Sequence, residues 1–175
     1  MSVFPRYTLC FLTRADQVLL LLRSKPPNAG LWNGVGGHIE PGETPRQGML
    51  REITEETGYP VTEVDFRGVL TWNGFEIQDG GLYIFTAAVD RLTPPAELPA
   101  SEGRLAWQPR EWLLSGTKVV ENIHYFAPYM LTPGPALHFH FDYHGHTILS
   151  HAVQPLPGWV DIDRIFQPPD VIHEK

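Results

Sequence analysis

Residues 37–59, GHIEPGETPRQGMLREITEETGY, constrain this chain of 175 residues more than any other segment. The segment carries both the start and the end signals of a short helix. Thr44 suits the N-cap, Pro45 the first helical position, and Gln47 the return partner of a capping box. Gly58 follows where a left-handed C-cap is wanted. We therefore expect a helix that begins at Pro45 and ends just before Gly58.

Three acids lie on one side of this expected helix. At about 100° per residue, Glu52, Glu55 and Glu56 project within about 100° of one another. The adjacent side is apolar and can pack on a sheet; it carries Met49, Leu50 and Ile53. Carboxylates this close repel one another unless a cation lies among them, and their oxygens suit Mg²⁺ or Mn²⁺. Since protein-bound magnesium usually accompanies a phosphate substrate, the acids favour phosphate chemistry. The alternative is an ordinary solvated acidic face.

Two further features favour a binding role. Arg and Lys are absent between Glu52 and Tyr59, so no downstream cation four residues away offsets the acids. Gly48 projects onto the acidic side, although glycine inside a helix costs about 1 kcal/mol relative to alanine. We hypothesise that Gly48 leaves room for a phosphate or a metal ion.

The spacing of the segment resembles that of a known family. Gly37 is followed after five residues by Glu43, and after seven more by Arg-Glu-apolar-any-Glu-Glu-any-Gly-apolar. This is similar to the motif of the Nudix hydrolases at every fixed position, although Tyr59 is aromatic where an aliphatic residue is commoner. The resemblance implies an α/β fold: the Nudix fold, an α/β/α sandwich with a mixed β-sheet and a loop–helix–loop catalytic motif.

The resemblance also implies an activity and roles for these residues. Water attacks a diphosphate that links a nucleoside to another group, and bound cations neutralise the oxygens. Glu52, Glu55 and Glu56 would hold one to three divalent ions, helped by the Gly37 carbonyl. Arg51 and Glu43 would pair and fix the loop–helix–loop shape. The general base would be Glu55 or Glu52.

Residues outside the motif resemble the MutT-like branch of this family, over about residues 7–153. Five segments show this resemblance: Tyr-Thr-Leu at 7–9, the strand at 18–23, Leu-Trp-Asn-Gly-Val-Gly-Gly at 31–37, Tyr-Phe at 125–126, and His-Gly-His-Thr-Ile-Leu at 144–149. This branch protects DNA by hydrolysing oxidised purine nucleoside triphosphates, such as 8-oxo-dGTP, to the monophosphate and pyrophosphate. It implies a small-molecule nucleotide substrate here.

The same resemblance assigns substrate contacts, each with a structural alternative. Arg23 would approach the phosphates, or be a surface arginine. Asn33 would read a base edge, or make an Asx turn before Gly34. Trp72 would stack on the base, or be a core aromatic. Glu121 and Asn122 would face the base, or Asn122 would cap a helix. Glu102 would be an additional acid near the metal, or a solvated loop residue.

Some positions depart from the pattern of this branch. Pro27 stands where relatives stack an aromatic, Val119 replaces a bulky pocket residue, and a further bulky position falls on Gly80 or Gly81. We therefore expect a wider or differently shaped pocket. Other substrates stay open: ADP-ribose, a dinucleoside polyphosphate, a coenzyme or capped RNA. A Nudix-fold module that only senses a nucleotide is the alternative from a different class.

Composition and charge bound the remaining possibilities. A length of 175 residues predicts one domain, at residues 1–153, followed by a proline-rich tail at 154–175 that packs on it or extends from it. At 42% hydrophobic, the chain is not a disordered one. The net charge of −7, without a basic stripe, argues against a polymeric nucleic acid as partner. Cys10 is the one cysteine and is expected in the core. Since no signal peptide or membrane span is evident, we expect a cytoplasmic protein without a membrane partner. Homodimers are common among similar proteins, and a homodimer is possible here.

Periodicity predicts alternating strands and helices. We expect strands at residues 7–13, 18–23, 32–35, 64–72, 82–89 and 105–108, short helices near 111–114 and 122–130, and a final hairpin of 137–143 and 147–153. Five histidines lie within residues 138–151: His138, His140, His144, His146 and His151. Two of them, His138 and His140, would share a strand face, either as metal ligands or as partly exposed strand residues.

Overall fold

A computed structural model describes residues 4–90 and 102–167. Residues 91–101, where the alternating pattern predicts no strand or helix, and the end of the predicted tail, residues 168–175, lie outside these ranges. Within them the chain forms eight strands and three helices. The strands are β1 Tyr7–Arg14, β2 Gln17–Arg23, β3 Trp32–Asn33, β4 Asp65–Phe75, β5 Gly80–Ala88, β6 Gly103–Pro109, β7 Leu137–Gly145 and β8 Thr147–Pro155. The helices are α1 Pro45–Thr57, α2 Trp112–Ser115 and α3 Ile123–Met130.

The strands form one mixed sheet in the order β3-β2-β1-β5-β4-β7-β8, and β6 pairs with β2. Two neighbouring pairs are parallel, β1 with β5 and β4 with β7. The other pairs are antiparallel. Parallel pairing needs long connections, and this topology brings residues far apart in sequence onto adjacent strands.

Apolar side chains alternate between the two faces of the sheet and form two cores. Leu9 and Phe11 of β1 enter the core beneath α2 and α3. Cys10 and Leu12 enter the core beneath α1. The prediction that Cys10 lies in the core is thus confirmed. Because helices cover both faces, the molecule has the three layers of an α/β/α sandwich.

Helix α1 has the predicted ends. The Thr44 hydroxyl accepts the Gln47 N–H at 3.1 Å, and the Gln47 side chain accepts the Thr44 N–H at 2.9 Å. Gly58 ends the helix with φ +67°, which an L side chain rarely adopts. Met49 and Ile53 are fully buried against the sheet. On the acidic side of α1, Glu56 accepts the Gly36 N–H, so this side faces the glycine-rich loop at residues 34–37.

The strand predicted at residues 32–35 is shorter, since β3 ends at Asn33. The Asn33 side chain accepts the Gly34 N–H at 2.8 Å, which takes that donor out of a strand ladder. A side chain at Gly34 would lie 2.6 Å from the Cys10 carbonyl. The loop therefore rests directly on the β1 backbone. The final hairpin is longer than predicted, because its turn contains only His146 between β7 and β8.

The residues after β8 return across the core beneath α1. Leu156, Val160 and Ile162 pack against this core, and Phe166 is buried in it. Residues 156–167 are called the returning segment below.

Candidate active site

A cavity of about 830 Å³ opens beside the acidic side of α1. One part of its lining consists of Glu52, Glu55 and Glu56, and another of aromatic and aliphatic side chains of β4, the β7–β8 hairpin and α3. We call these the acidic end and the aromatic end. Almost all of the site residues predicted from the sequence line this cavity: Arg23, Asn33, Gly37, Arg51, Glu52, Glu55, Glu56, Trp72, Glu102, Glu121 and Asn122.

Arg51 organises the acidic end. Its guanidinium binds the Glu43 carboxylate through two contacts, Nε–Oε1 at 2.7 Å and Nη2–Oε2 at 3.0 Å. Its Nη1 donates to Glu52 at 3.0 Å and to Glu55 at 3.2 Å. Hydrogen bonding to Arg51 lowers the pKa of Glu43, and the bond to Glu43 raises the pKa of Arg51. Glu43 lies behind the arginine and is the one predicted site residue that does not line the cavity.

Glu56 is the most desolvated of the three helix acids. Its Oε2 accepts the Gly36 N–H at 3.0 Å. Burial, followed by the nearby charges of Glu52 and Glu102, raises the pKa of Glu56 from 4.5 to about 7. Burial also raises the pKa of Glu52, against the opposing effect of Arg51. Keeping these buried carboxylates ionised costs free energy, and a cation bound between them would lower that cost.

Gly37 lies directly against Glu52. A Cβ on Gly37 would overlap the Glu52 carboxylate, so only glycine allows this approach. The Gly37 carbonyl accepts the Thr8 N–H at 2.8 Å and a longer bond from the Thr8 hydroxyl at 3.4 Å. A carbonyl oxygen has two lone pairs, and the Thr8 N–H uses one; the long contact from the Thr8 hydroxyl is the one that a metal ion would replace.

Gly48 does not leave room for a ligand, and that hypothesis is wrong. A Cβ there would lie 3.1 Å from Glu43 Oε2 and 3.7 Å from Ile39. The space is filled by the carboxylate that binds Arg51. Gly48 therefore makes room for the Glu43–Arg51 pair, because the loop before α1 folds back over the helix.

Two cations and a further acid lie across the cavity from α1. The Nε of Arg23 donates to the Pro27 carbonyl at 2.9 Å, which holds the guanidinium in the cavity wall, and its charge lowers the pKa of Glu56. Glu102 lies close enough for its charge to raise that pKa. It also forms an ion pair with Lys25 at 3.3 Å. Arg23 and Glu102 are thus both near the acidic end.

Asn33 and Trp72 both line the cavity, and each also has a structural role. Asn33 lines the cavity while its carbonyl oxygen accepts the Gly34 N–H. Trp72 is 7% exposed, belongs to the core beneath α2 and α3, and also lines the cavity. Its indole donates to the Gln78 carbonyl at 3.1 Å, which fixes the plane of the ring.

Glu121 and Asn122 line the aromatic end, just before α3. The expectation that Asn122 could cap α3 is wrong, since its side chain makes no capping hydrogen bond. The amide instead bonds to the Tyr143 hydroxyl. Burial raises the pKa of Tyr143 to about 12, so this hydroxyl is neutral and available as a hydrogen-bond partner.

Two of the three departures from the family pattern fall elsewhere in the structure. Pro27 lines the cavity, as expected. Val119 does not; it is buried beside Gly116, and its neighbour Val120 lines the cavity instead. Gly80 and Gly81 are also outside the lining: a Cβ on Gly80 would meet Trp72 at 3.2 Å, and one on Gly81 would meet the Leu70 carbonyl at 2.7 Å. Side chains there would disturb β4 rather than fill the cavity.

Sequence reasoning missed several wall residues. Tyr7 and His38 lie with ring centroids 4.6 Å apart, and Tyr7 is 6.1 Å from Trp72. At the opposite wall, His146 pairs with Glu76 at 2.8 Å. The missed lining residues include Tyr7, His38, Leu70, Phe75, Ile77, Leu82, Phe126, Tyr143 and His146. The sequence offered one signal for these residues. Side chains alternate along β4, so Leu70 lies on the same face as Trp72, which was a predicted site residue.

The late histidines do not form a metal site. His138 Nε2 and His140 Nδ1 lie 2.8 and 2.7 Å from the Thr71 hydroxyl, and His140 lies 3.3 Å from Asp142. Burial lowers the pKa of His138. This hydrogen-bonded network faces away from the core that Phe139 and Phe141 enter. The reading as partly exposed strand histidines is the one that the geometry favours.

The acidic end has the chemistry of a magnesium site. In the side-chain positions described for residues 4–90 and 102–167, no three acid, histidine or cysteine groups converge on one point, because Arg51 draws Glu52 and Glu55 toward itself. The donors nevertheless fit: they are all oxygens, and buried Glu56 and Glu52 have raised pKa values. Hard oxygen donors in excess of nearby positive charge suit Mg²⁺.

Comparison with known proteins identifies the family. The NUDIX domain family matches residues 3–130. The chain belongs to the Nudix family. It is 36% identical over 112 residues to an uncharacterised Nudix hydrolase, YvcI, of Bacillus subtilis, covering 61% of this chain and 67% of that protein. It is 41% identical over 61 residues to an oxidised purine nucleoside triphosphate hydrolase of Mus musculus, covering 35% of this chain and 39% of that protein.

A solved structure resembles this chain over most of its length. The mutator MutT protein of Bacillus halodurans superimposes with a TM-score of 0.74 at 27% identity, covering 87% of this chain and 99% of that one. The Nudix fold with its mixed sheet is thus confirmed, and the protein is a Nudix pyrophosphohydrolase of nucleotide derivatives. Nudix hydrolases generally use divalent metal ions such as Mg²⁺. In the part of the chain that the structure describes, no helix is long and apolar enough to cross a membrane.

Proposed function

We propose that this Nudix hydrolase converts an oxidised purine nucleoside triphosphate, such as 8-oxo-dGTP, to the nucleoside monophosphate and pyrophosphate. The observation that carries the proposal is the single cavity that joins the acidic end to the aromatic end. A triphosphate needs the acidic end, where cations can bind, and a purine base needs the aromatic end, where a ring can stack. The mouse relative, 41% identical over 61 residues, is an oxidised purine nucleoside triphosphate hydrolase, which supports the same choice of substrate.

The acidic end would do the phosphate chemistry. Glu52, Glu55 and Glu56, with the Gly37 carbonyl and with Glu102 nearby, would hold Mg²⁺, or Mn²⁺ in its place. The bound ion would neutralise charge on the phosphate oxygens. Arg51 holds Glu52 and Glu55, and Glu43 holds Arg51. Arg51 thus restricts the positions open to Glu52 and Glu55 before an ion binds.

A general base is needed to take a proton from the attacking water. Glu52 and Glu55 are the two candidates, and their surroundings differ. The Glu52 side chain is 14% exposed and burial raises its pKa, whereas the Glu55 side chain is 59% exposed. A raised pKa suits a base that works near neutral pH. Comparing the pH–rate profiles of the two Glu→Gln variants assigns the role.

The rest of the cavity would bind the nucleotide. Arg23 faces the acidic end and is suited to the phosphates, because a guanidinium binds phosphate oxygens through two hydrogen bonds. Trp72 offers a ring whose plane is fixed by its bond to Gln78. Asn33, Glu121 and Asn122 bring amide and carboxylate groups that can bind base edges.

A substrate panel tests the proposal: 8-oxo-dGTP, dGTP, ADP-ribose and a diadenosine polyphosphate, each with Mg²⁺ and then Mn²⁺. We expect the highest kcat/KM for 8-oxo-dGTP, with pyrophosphate as a product. Preference for ADP-ribose or a dinucleotide would be consistent with Nudix chemistry but would reject an oxidised purine triphosphate as the substrate. If no substrate were turned over while nucleotides still bound, the chain would be a nucleotide sensor instead.

A further inference from the structure

The returning segment holds the loop that leads into α1. The Phe166 N–H donates to the Glu43 carbonyl at 2.6 Å, and the Gly42 N–H donates to the Phe166 carbonyl at 3.2 Å. The Arg46 N–H donates to the Ile162 carbonyl at 3.2 Å. These three bonds tie residues 42–46 to a stretch of chain more than 110 residues later. That stretch lies beyond residue 130, where the match to the Nudix family ends.

Side chains reinforce the backbone contacts. The guanidinium of Arg46 meets the Asp163 carboxylate at 2.8 and 3.4 Å, and its Nη1 donates to the Val64 carbonyl at 3.1 Å. The Phe166 side chain is 8% exposed, within the core beneath α1. The ion pair is exposed to water and weak, so the buried ring is the main anchor.

Glu43 connects the returning segment to the acidic end. Its main-chain carbonyl binds Phe166, and its carboxylate binds Arg51. Arg51 in turn binds Glu52 and Glu55. A shift of the Glu43 backbone would therefore move the guanidinium that holds two of the three helix acids. Groups that orient metal ligands in this indirect way commonly affect metal affinity and activity.

We propose that Phe166 and Asp163 are positioning residues for catalysis, which hold residues 42–46 so that Glu43 and Arg51 keep the acids in place. The inference rests on the proposed metal-dependent hydrolysis. The returning segment contacts the loop and not the aromatic end, so it acts on metal binding and kcat and leaves the KM for the nucleotide unchanged.

Matched variants of the full-length protein test this. Phe166→Ala removes the anchor, and Phe66→Ala is its control, because the Phe66 ring packs in the same core against Tyr83 and Phe85. Asp163→Asn breaks the ion pair, and Asp161→Asn makes the same change of charge two residues away while keeping an oxygen that can accept the Asp163 N–H. Measurements are the Mn²⁺ dissociation constant by electron paramagnetic resonance, amide exchange of residues 42–46, and kcat and KM for 8-oxo-dGTP.

For Phe166→Ala we expect Mn²⁺ affinity and kcat to fall about tenfold, with KM within about twofold. Faster exchange at residues 42–46 should accompany the loss. Asp163→Asn should lose about two- to threefold, and both controls should match wild type. Equal losses in Phe166→Ala and Phe66→Ala would mean a general effect on stability and overturn the proposal. So would wild-type affinity and kcat in Phe166→Ala. If wild type turned over no nucleotide, the proposed function would fail, while Mn²⁺ affinity and exchange would still decide the positioning role.

Discussion

Replacing Glu56 with glutamine should stabilise the metal-free protein at alkaline pH. Glutamine keeps the size of the side chain and an oxygen that can accept the Gly36 N–H, but it carries no charge. In the wild-type protein, burial raises the pKa of Glu56 from 4.5 to about 7. Between these two pH values the folded state binds more protons at Glu56 than the unfolded state does. Wild-type stability therefore falls as pH rises through this window, and the loss is complete above about pH 7.

The size of the effect follows from the pKa change. A shift from 4.5 to about 7 corresponds to about 3 kcal/mol of unfavourable free energy for the ionised side chain. The pKa of about 7 already includes the opposing charge of Arg23, and screening by water in the open cavity reduces the effect further, so we expect about 2–3 kcal/mol between pH 4.5 and pH 8.5. For a chain of this length, that is a difference in Tm of about 5–10 °C.

The assay is thermal unfolding in EDTA at several pH values for wild type, Glu56→Gln and a control, Glu63→Gln, whose side chain lies at the surface. The Tm advantage of Glu56→Gln should be near zero at pH 4.5 and largest above pH 7. Adding Mg²⁺ at pH 8.5 should stabilise wild type far more than Glu56→Gln. A constant difference at every pH, or equal stabilisation by Mg²⁺, would refute the view that Glu56 is a buried carboxylate held for a cation.

Three further changes should have distinct effects. Arg51→Gln leaves Glu43 and Glu52 without their partner, so the free energy of unfolding by urea should fall by about 2 kcal/mol and kcat by more than tenfold; an unchanged kcat would contradict the role of Arg51. Gly58→Ala places a side chain at φ +67° and should lower the free energy of unfolding by urea by about 1 kcal/mol, while kcat measured well below the Tm stays the same. An unchanged free energy of unfolding would contradict the C-cap role of Gly58. Trp72→Leu should raise the KM for 8-oxo-dGTP about tenfold while Mn²⁺ affinity stays the same, and a loss of Mn²⁺ affinity instead would place Trp72 outside the base site.

Local signals made α1 predictable. Thr44, Gln47 and Gly58 specify its ends through contacts within a few residues, and the spacing of the acids follows from the helical repeat. The pairing of Glu43 with Arg51 came from the family resemblance, and the structure shows it at 2.7 Å. These features depend on short stretches of chain, which the sequence displays directly.

Long-range packing explains what the sequence did not reveal. Gly48 faces the Glu43 carboxylate because the loop before α1 folds back, and nothing within the helix indicates this. Tyr143 and His146 reach the cavity only because β7 pairs in parallel with β4, whose residues are about 70 positions earlier. The contact of Phe166 with Glu43 spans a still longer separation. Such pairings depend on sheet order, which periodicity alone does not determine.

The most direct test of this account is the rate of 8-oxo-dGTP hydrolysis as a function of Mg²⁺ concentration, with product analysis, for wild type and Glu52→Gln. We expect no turnover in EDTA, full recovery with Mg²⁺, monophosphate and pyrophosphate as products, and a large loss in the variant. Turnover that persists without a divalent cation, or that is unchanged in Glu52→Gln, would contradict the claim that the acidic end of the cavity performs the chemistry.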